Sequence, residues 1–277
     1  MFFLFDIGGS KTRITVTDTT SIGNVETFET PQSPQEGVDL LVKTAHKLTS
    51  GETLTAAAGG VAGPLNRENT QLVNAPNLPQ WAHFPLVEEL DAQLHVPISL
   101  ENDAALAGLG EALYGAGKGS MIVAYITLST GIGGARIVNG AIDTHAFGFE
   151  PGHMYLDIDK SIFPTSDYGT WEKSVSGAHL EKRFNSYPSE ITDVGVWNEV
   201  AEWAAFGLHN VMVMWSPDVI VLGGGLVLTH AVTIDMIKSK FEKVSYIFPE
   251  LPELREAQLG DTCALYGALA TVQSGSI

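Results

Sequence analysis

Apolar and polar positions along this chain follow two periods, and the periods alternate in order. Residues 2–6 are almost unbroken apolar and predict a buried strand; residues 11–18 alternate and predict a second strand, joined to the first by the tight turn Gly8-Gly9-Ser10. Residues 24–30 predict a third strand. In 37–49 the apolar positions Val38, Leu41, Val42, Ala45 and Leu48 share one helical face. A strand over 53–61 runs into Gly60-Val61-Ala62-Gly63-Pro64, and 87–94, 96–100 and 104–114 predict helix, strand and helix.

A second cycle then begins. Residues 120–128 predict a strand, Gly131-Ile132-Gly133-Gly134 a turn, and 135–138 a strand pairing back. A loop over 146–168 leads to helices over 169–184 and 196–215. The apolar strand 219–222 enters Gly223-Gly224-Gly225, and a helix, a strand over 244–247 and a terminal helix over 263–272 complete the chain. Both halves thus read as apolar strand, glycine turn, antiparallel return and helices, which suggests an internal duplication. No low-complexity linker separates them. The expected division is a small lobe of residues 1–104 joined by the terminal helix 263–277, and a larger lobe of residues 105–262.

Composition narrows the function classes. The 277 residues carry 15 basic and 32 acidic side chains, a net charge of −17. That charge repels nucleic acid and anionic membranes, so neither is an expected partner. One cysteine, Cys263, excludes an internal disulfide and any multi-cysteine metal site. There is no signal-peptide pattern and no apolar run long enough to span a bilayer, so the expected location is the cytoplasm.

Candidate chemistry clusters at the glycine turns and at one acidic run. Ser99-Leu100-Glu101-Asn102-Asp103-Ala104 sits where a strand ends and a helix begins. Asp103 there is either a helix N-cap or a carboxylate able to accept a proton from a bound hydroxyl. Asp6-Ile7-Gly8-Gly9-Ser10-Lys11-Thr12 ends a buried strand with a carboxylate followed by a glycine turn. Freed backbone N–H groups, with the Ser10 and Thr12 hydroxyls, suit phosphate oxygens, and Asp6 suits Mg²⁺ held through water. Thr130-Gly131-Ile132-Gly133-Gly134 has the same form. Gly223, Gly224 and Gly225, between strand and helix, suit a nucleotide.

The order and spacing of these motifs resemble the sugar kinases of the ROK (repressor/open-reading-frame/kinase) family and related bacterial glucokinases. The resemblance runs nearly end to end. It includes Gly60 to Leu65, similar to a glycine-proline sugar loop with Gly63 in it. It also includes Val73-Asn74-Ala75-Pro76-Asn77-Leu78-Pro79-Gln80-Trp81, similar to a Pro-Asn-Leu-Pro-x-Trp segment carrying Asn77. It implies an α/β, actin-like and hexokinase-like ATPase fold (ribonuclease H-like): two α/β lobes with mixed sheets, closing over a central cleft. It implies that Asp103 is the general base and that Asn102, Glu150, His153 and Glu172 contact the sugar, Glu150 and His153 within a Glu-x-Gly-His motif. It places ATP on residues 6–12, 128–134 and 221–225, with Lys11 in the first of these, and a homodimer is a possible assembly. The implied reaction is transfer of the ATP γ-phosphoryl to a hexose hydroxyl, glucose to glucose 6-phosphate in the first instance. Fructose, N-acetylglucosamine or N-acetylmannosamine, or a non-catalytic sugar-sensing role, are the alternatives.

Two departures stand out. Many members follow the Glu-x-Gly-His motif with cysteines that, together with the His, hold structural zinc. This chain has no cysteine from Met154 to Trp171, so no zinc is expected, and packing by Phe163, Tyr168 and Trp171, stiffened by Pro151 and Pro164, is the expected substitute. Asp157, Asp159 and Asp167 nearby are hard oxygen ligands and suit structural zinc poorly. Ser129 also stands where the second phosphate motif usually has glycine.

Overall fold

The computed structural model describes residues 1–18, 21–75, 77–158, 169–229 and 231–275. The chain divides into two compact units, one of Met1–Tyr114, Thr144–Gly148 and Asp261–Ile277, the other of Gly115–Asp143 and Phe149–Gly260. Among the described residues no helix is long and apolar enough to cross a membrane.

The first unit is built on a five-stranded sheet of β1 (Phe2–Ile7), β2 (Lys11–Thr17), β3 (Glu26–Glu29), β4 (Ala56–Val61) and β5 (Ile98–Asn102), in the order β3-β2-β1-β4-β5. β1, β2 and β3 pair antiparallel, while β1, β4 and β5 run parallel. β1 and β4 are buried along their length, which explains their nearly continuous apolar sequence. β4 reads Ala-Ala-Ala-Gly-Gly-Val because the Phe5 ring covers Gly59; any Cβ there would overlap the ring.

Helix α1 (Pro34–Thr49) starts three residues before the apolar periodicity does. Pro34 fits a first helical turn, and the Ser33 side chain accepts the Glu36 N–H. α1 and α2 (Leu86–Leu94) cover one face of the sheet, burying Phe3, Phe5, Leu41, Trp81 and Leu90 in one cluster. The C-terminal helix (Cys263–Gln273) packs on β1 and β4, and α3 (Asp103–Tyr114) packs against it. The two helices meet backbone to backbone. Gly110 faces the Cys263 carbonyl and Gly267 the Leu106 carbonyl, with no room for a Cβ at either glycine. This crossing joins α3 to the first unit, so the division falls after Tyr114, ten residues beyond the expected boundary.

The second unit repeats the topology. Its sheet contains β6 (Ile122–Leu128), β7 (Ile132–Val138), β8 (Ala141–Ile142), β11 (Val219–Gly223) and β12 (Glu253–Glu256), in the order β12-β11-β6-β7-β8. Again three strands pair antiparallel and two join parallel. The order is that of the first sheet, which gives the rhyme of the two sequence halves a structural form. β9 (Tyr155–Asp157) and β10 (Gly169–Thr170) make a separate antiparallel pair, and α4 (Trp171–Val175), α5 (Gly177–Phe184), α6 (Val194–Trp215), α7 (Gly225–Leu228) and α8 (Ile234–Val244) complete the unit.

Three sequence expectations change. The helix expected over 169–184 is two helices, broken at Ser176, whose extended backbone ends α4 and starts α5. The strand expected over 244–247 does not form: α8 runs to Val244, and Tyr246 and Ile247 are 84% and 60% exposed. The parallel edge strand is β12, Glu-Leu-Arg-Glu, of which only Leu254 is buried, so apolar periodicity could not reveal it. The loop expected over 146–168 contains β9, while Asp159, Phe163, Pro164, Asp167 and Tyr168 lie outside the described residues.

Candidate active site

β5 ends and α3 begins without an intervening residue, and this junction carries the acidic run. Asn102, not Asp103, caps the helix: its Oδ1 accepts the Ala105 N–H at 3.1 Å. Its Nδ2 donates to the Gly63 carbonyl at 3.1 Å, tying the strand end to the loop after β4. Asp103 is the first helical residue, and its Oδ1 accepts the Ala104 N–H at 2.9 Å. Gly60 of β4 lies against it; a Cβ there would sit 3.0 Å from Asp103 Cα. Relieved of the capping role, Asp103 is open to a chemical one.

Burial pushes the Asp103 carboxyl above the usual carboxylate range, partly offset by the backbone N–H of Ala104. Asp6, at the end of β1 and 8% exposed, is pushed up to about 7, first by burial and then by the charge of Asp103. Arg13 opposes this: it pairs with Asp6 at 3.5 Å and with Asp261 at 3.0 Å. Arg13 escaped the sequence reading, although the Gly8-Gly9-Ser10 turn fixes a hairpin register that sets it directly across from Asp6.

The first glycine turn is tightly tied. The Gly8 N–H donates to the Lys11 carbonyl at 3.0 Å, and the Thr30 hydroxyl donates to the Gly8 carbonyl at 2.7 Å. Thr12 is buried, with its hydroxyl 2.9 Å from that of Thr30, so it serves the sheet and does not face outward. The Gly8 amide and the Thr12 hydroxyl are therefore committed inside the protein, while Ser10 and Lys11 are exposed. Gly9 rests on Asn77: a Cβ there would lie 2.8 Å from that of Asn77. Gly63 has φ +130°, a conformation glycine tolerates, and faces the Asn74 carbonyl. The first unit thus gathers Asp6, the turn 8–12, Gly63, Asn77, Asn102 and Asp103.

Glu101 and Asn69 belong to this group although the sequence reading assigned them no role. Glu101 accepts the Asn102 N–H at 2.8 Å and the Asn69 amide at 3.1 Å. Burial raises its carboxyl, and those two hydrogen bonds and the charge of His145 offset part of the rise. The signal for Glu101 was its place in the acidic run; nothing marked Asn69.

In the second unit Glu172 and the turn at Gly152 meet at Ile132. Its N–H donates to Glu172 Oε2 at 2.9 Å. Its carbonyl faces Gly152, where the Glu150-Pro151-Gly152-His153 turn leaves no room for a Cβ, and Pro151 packs against Gly134. Glu150 and His153 are exposed at the two ends of that turn. Gly131 faces Glu172, with a would-be Cβ 2.7 Å from Oε2. Ser129 and Thr130 offer their carbonyls to the Gly177 and Ala178 N–H groups, docking this loop on the start of α5. The Gly224 backbone (φ +87°) lies directly over the Leu128 carbonyl, so the third glycine turn packs on the end of β6. Ser129 stands where glycine is usual, and its Oγ would lie 3.8 Å from a Cβ at Gly225, an ordinary contact. Thr130, Gly131, Gly133, Glu150, His153, Glu172, Gly223, Gly224 and Gly225 thus belong to one unit.

The donor sets permit one test of metal chemistry. Among the described residues no group of three or more His, Cys, Asp or Glu side chains is arranged to hold a metal ion. Asp6 is a single hard carboxylate paired with Arg13, and a Mg²⁺ ion there would need most of its ligands from water and phosphate.

This chain is 29% identical to a glucokinase from Streptomyces coelicolor, covering 95% of this chain and 94% of that one. Its structure is similar to that of a ROK family glucokinase from Streptomyces griseus in complex with glucose and AMPPNP, with a TM-score of 0.82 and 25% identity over 99% of both chains. It is also similar to a ROK hexokinase from Thermus thermophilus, with a TM-score of 0.84 and 26% identity over 98% of both. The fold is therefore the actin-like, hexokinase-like ATPase fold. The ROK family model matches residues 4–274, almost the whole chain, and the chain belongs to the ROK family.

Proposed function

We infer that this chain is an ATP-dependent sugar kinase that transfers the γ-phosphoryl of ATP to a hexose, with the 6-hydroxyl of glucose as its first substrate. The observation that carries this reading is Asp103: a carboxylate raised by burial, held at a helix start by its neighbour's cap and so able to act as a base. Full-length similarity to a glucokinase described with glucose and AMPPNP supports both substrates.

The sugar hydroxyl oxygen attacks the γ-phosphorus, the bond from that phosphorus to the β-bridging oxygen breaks, and ADP leaves. Asp103 orients the hydroxyl and takes its proton. Asn102, Asn77, Glu150, His153 and Glu172 supply donors and acceptors for the other ring hydroxyls, and Gly63 lets the sugar loop approach closely. Gly9, Ser10, Lys11, Thr130, Gly131, Gly133 and the turn 223–225 face phosphates and nucleotide with backbone N–H groups and side-chain donors. Asp6 would hold Mg²⁺ through water, and the ion would supply charge neutralisation on the phosphates. An assay of ADP release against glucose, fructose, mannose, N-acetylglucosamine and N-acetylmannosamine tests the reading. No turnover with any of them would overturn it, and a preference for another hexose would move the substrate assignment.

A further inference from the structure

The family resemblance implies zinc held by cysteines beyond the Glu-x-Gly-His motif, and this chain lacks those cysteines. No cysteine lies between Met154 and Trp171. Thr170, two residues before Glu172, uses its hydroxyl to cap α4, accepting the Lys173 N–H at 3.4 Å, and its carbonyl accepts from the Ser174 hydroxyl at 3.2 Å. Among the described residues no group of three or more His, Cys, Asp or Glu side chains is arranged to hold structural zinc. Yet Glu172 is held within 2.9 Å of the Ile132 N–H, so something else fixes its backbone.

The candidate is its neighbour. Trp171 has no solvent exposure and the Trp171 N–H donates to the Met154 carbonyl at 2.8 Å. Its indole lies across α6 at Gly207, so close that a Cβ on Gly207 would fall inside the ring system. The indole Nε1 is buried with no hydrogen-bond partner among the described residues. An unsatisfied buried N–H is costly, so the ring is tolerated there for its shape and apolar bulk. β9 and β10 pair just ahead of it, with Gly169 opposite Asp157 and Thr170 opposite Tyr155.

We propose that Trp171, seated in the notch Gly207 leaves on α6, is the positioning residue that holds Glu172 against the Ile132 amide without metal. Its bearing on sugar binding rests on the kinase reading above; its bearing on Glu172 does not. The geometry makes a size-complementarity prediction. A methyl at Gly207 must displace the indole, and a smaller ring at 171 must give the room back.

The test compares wild type, Gly207→Ala, Trp171→Phe and the double variant Gly207→Ala/Trp171→Phe. It reads hydrogen exchange at the Ile132 amide, the sugar and nucleotide KM, and zinc content. We expect Gly207→Ala to speed exchange at Ile132 about tenfold or more and to raise the sugar KM by a similar factor, with the nucleotide KM within about twofold. The double variant should recover most of both. A folded Gly207→Ala protein with unchanged Ile132 protection would overturn the proposal, as would one tightly held zinc per chain. If Gly207→Ala does not fold, Trp171→Phe alone decides: Ile132 exchange must quicken, and unchanged exchange overturns the proposal. A wild type inert toward every hexose would sink the kinase reading while the exchange data still decided the role of Trp171.

Discussion

Gly9 and Asn77 lie back to back: a methyl on the first would come within 2.8 Å of the Cβ of the second. The tight turn at the end of β1 and the segment that carries Asn77 are therefore one packed surface, and a change in one must move the other. Gly9→Ala should lower kcat/KM for the sugar by roughly 10- to 100-fold, although Gly9 is assigned to the phosphate side. Parallel measurements of sugar and nucleotide KM check this. A defect confined to the nucleotide would show that the contact does not transmit.

Asp103→Asn should reduce kcat by roughly 10²–10⁴ while changing the sugar KM only a few-fold. The amide keeps an oxygen for the Ala104 N–H, so α3 should start where it does now. Burial raises the native carboxyl, so the neutral amide should also leave the protein equally or more stable at pH 8. Steady-state kinetics together with thermal denaturation separate the two effects; a variant with near-normal kcat would remove Asp103 from the chemistry.

Asp6 gives stability a pH dependence with a definite sign. Its carboxyl ionises near the ordinary aspartate value of 3.8 in the unfolded chain and at about 7 in the fold. Between those values the folded state binds more protons, so this contribution to stability declines as pH rises from about 4 to about 7 and stays lost above that. Asp6→Asn should remove the decline and raise the melting temperature at pH 8, with little difference near pH 4. The raised Glu101 and Asp103 carboxyls add the same sign. Added Mg²⁺ should stabilise the wild type at pH 8 more than the variant, as differential scanning calorimetry would show.

The crossing of α3 and the C-terminal helix tolerates no side chain at Gly110 or Gly267. Gly267→Ala should cost about 1–3 kcal/mol through forced separation of the helices and lower the melting temperature by several degrees. Because Asp103 opens α3, kcat should fall more than the sugar KM rises. Denaturant titration and kinetics on the same preparation test the link; lost stability with unaltered kcat would break it.

The sequence by itself determined the repeated order of strands, turns and helices, because buried parallel strands are apolar throughout and turns need glycine. β1, β4, β6 and β11 were legible for that reason, and the chemical motifs were legible because they sit at the ends of such strands. The motif order also carried the family.

What the sequence could not supply was decided by partners distant along the chain. β12 is a strand only because β11 offers it an edge to pair with, and its Glu-Leu-Arg-Glu sequence has no period of its own. Whether Asn102 or Asp103 capped α3 depended on backbone direction at the strand end. Whether the Thr12 hydroxyl faced a ligand or the sheet depended on Thr30 being opposite. The raised carboxyls of Asp6, Glu101 and Asp103 follow from burial and proximity, which three separated sequence positions cannot express. The seat of Trp171 on Gly207, 36 residues further along, is the same kind of fact: a glycine inside a helix is a weakness in sequence terms and becomes a socket only when a large ring lies across it.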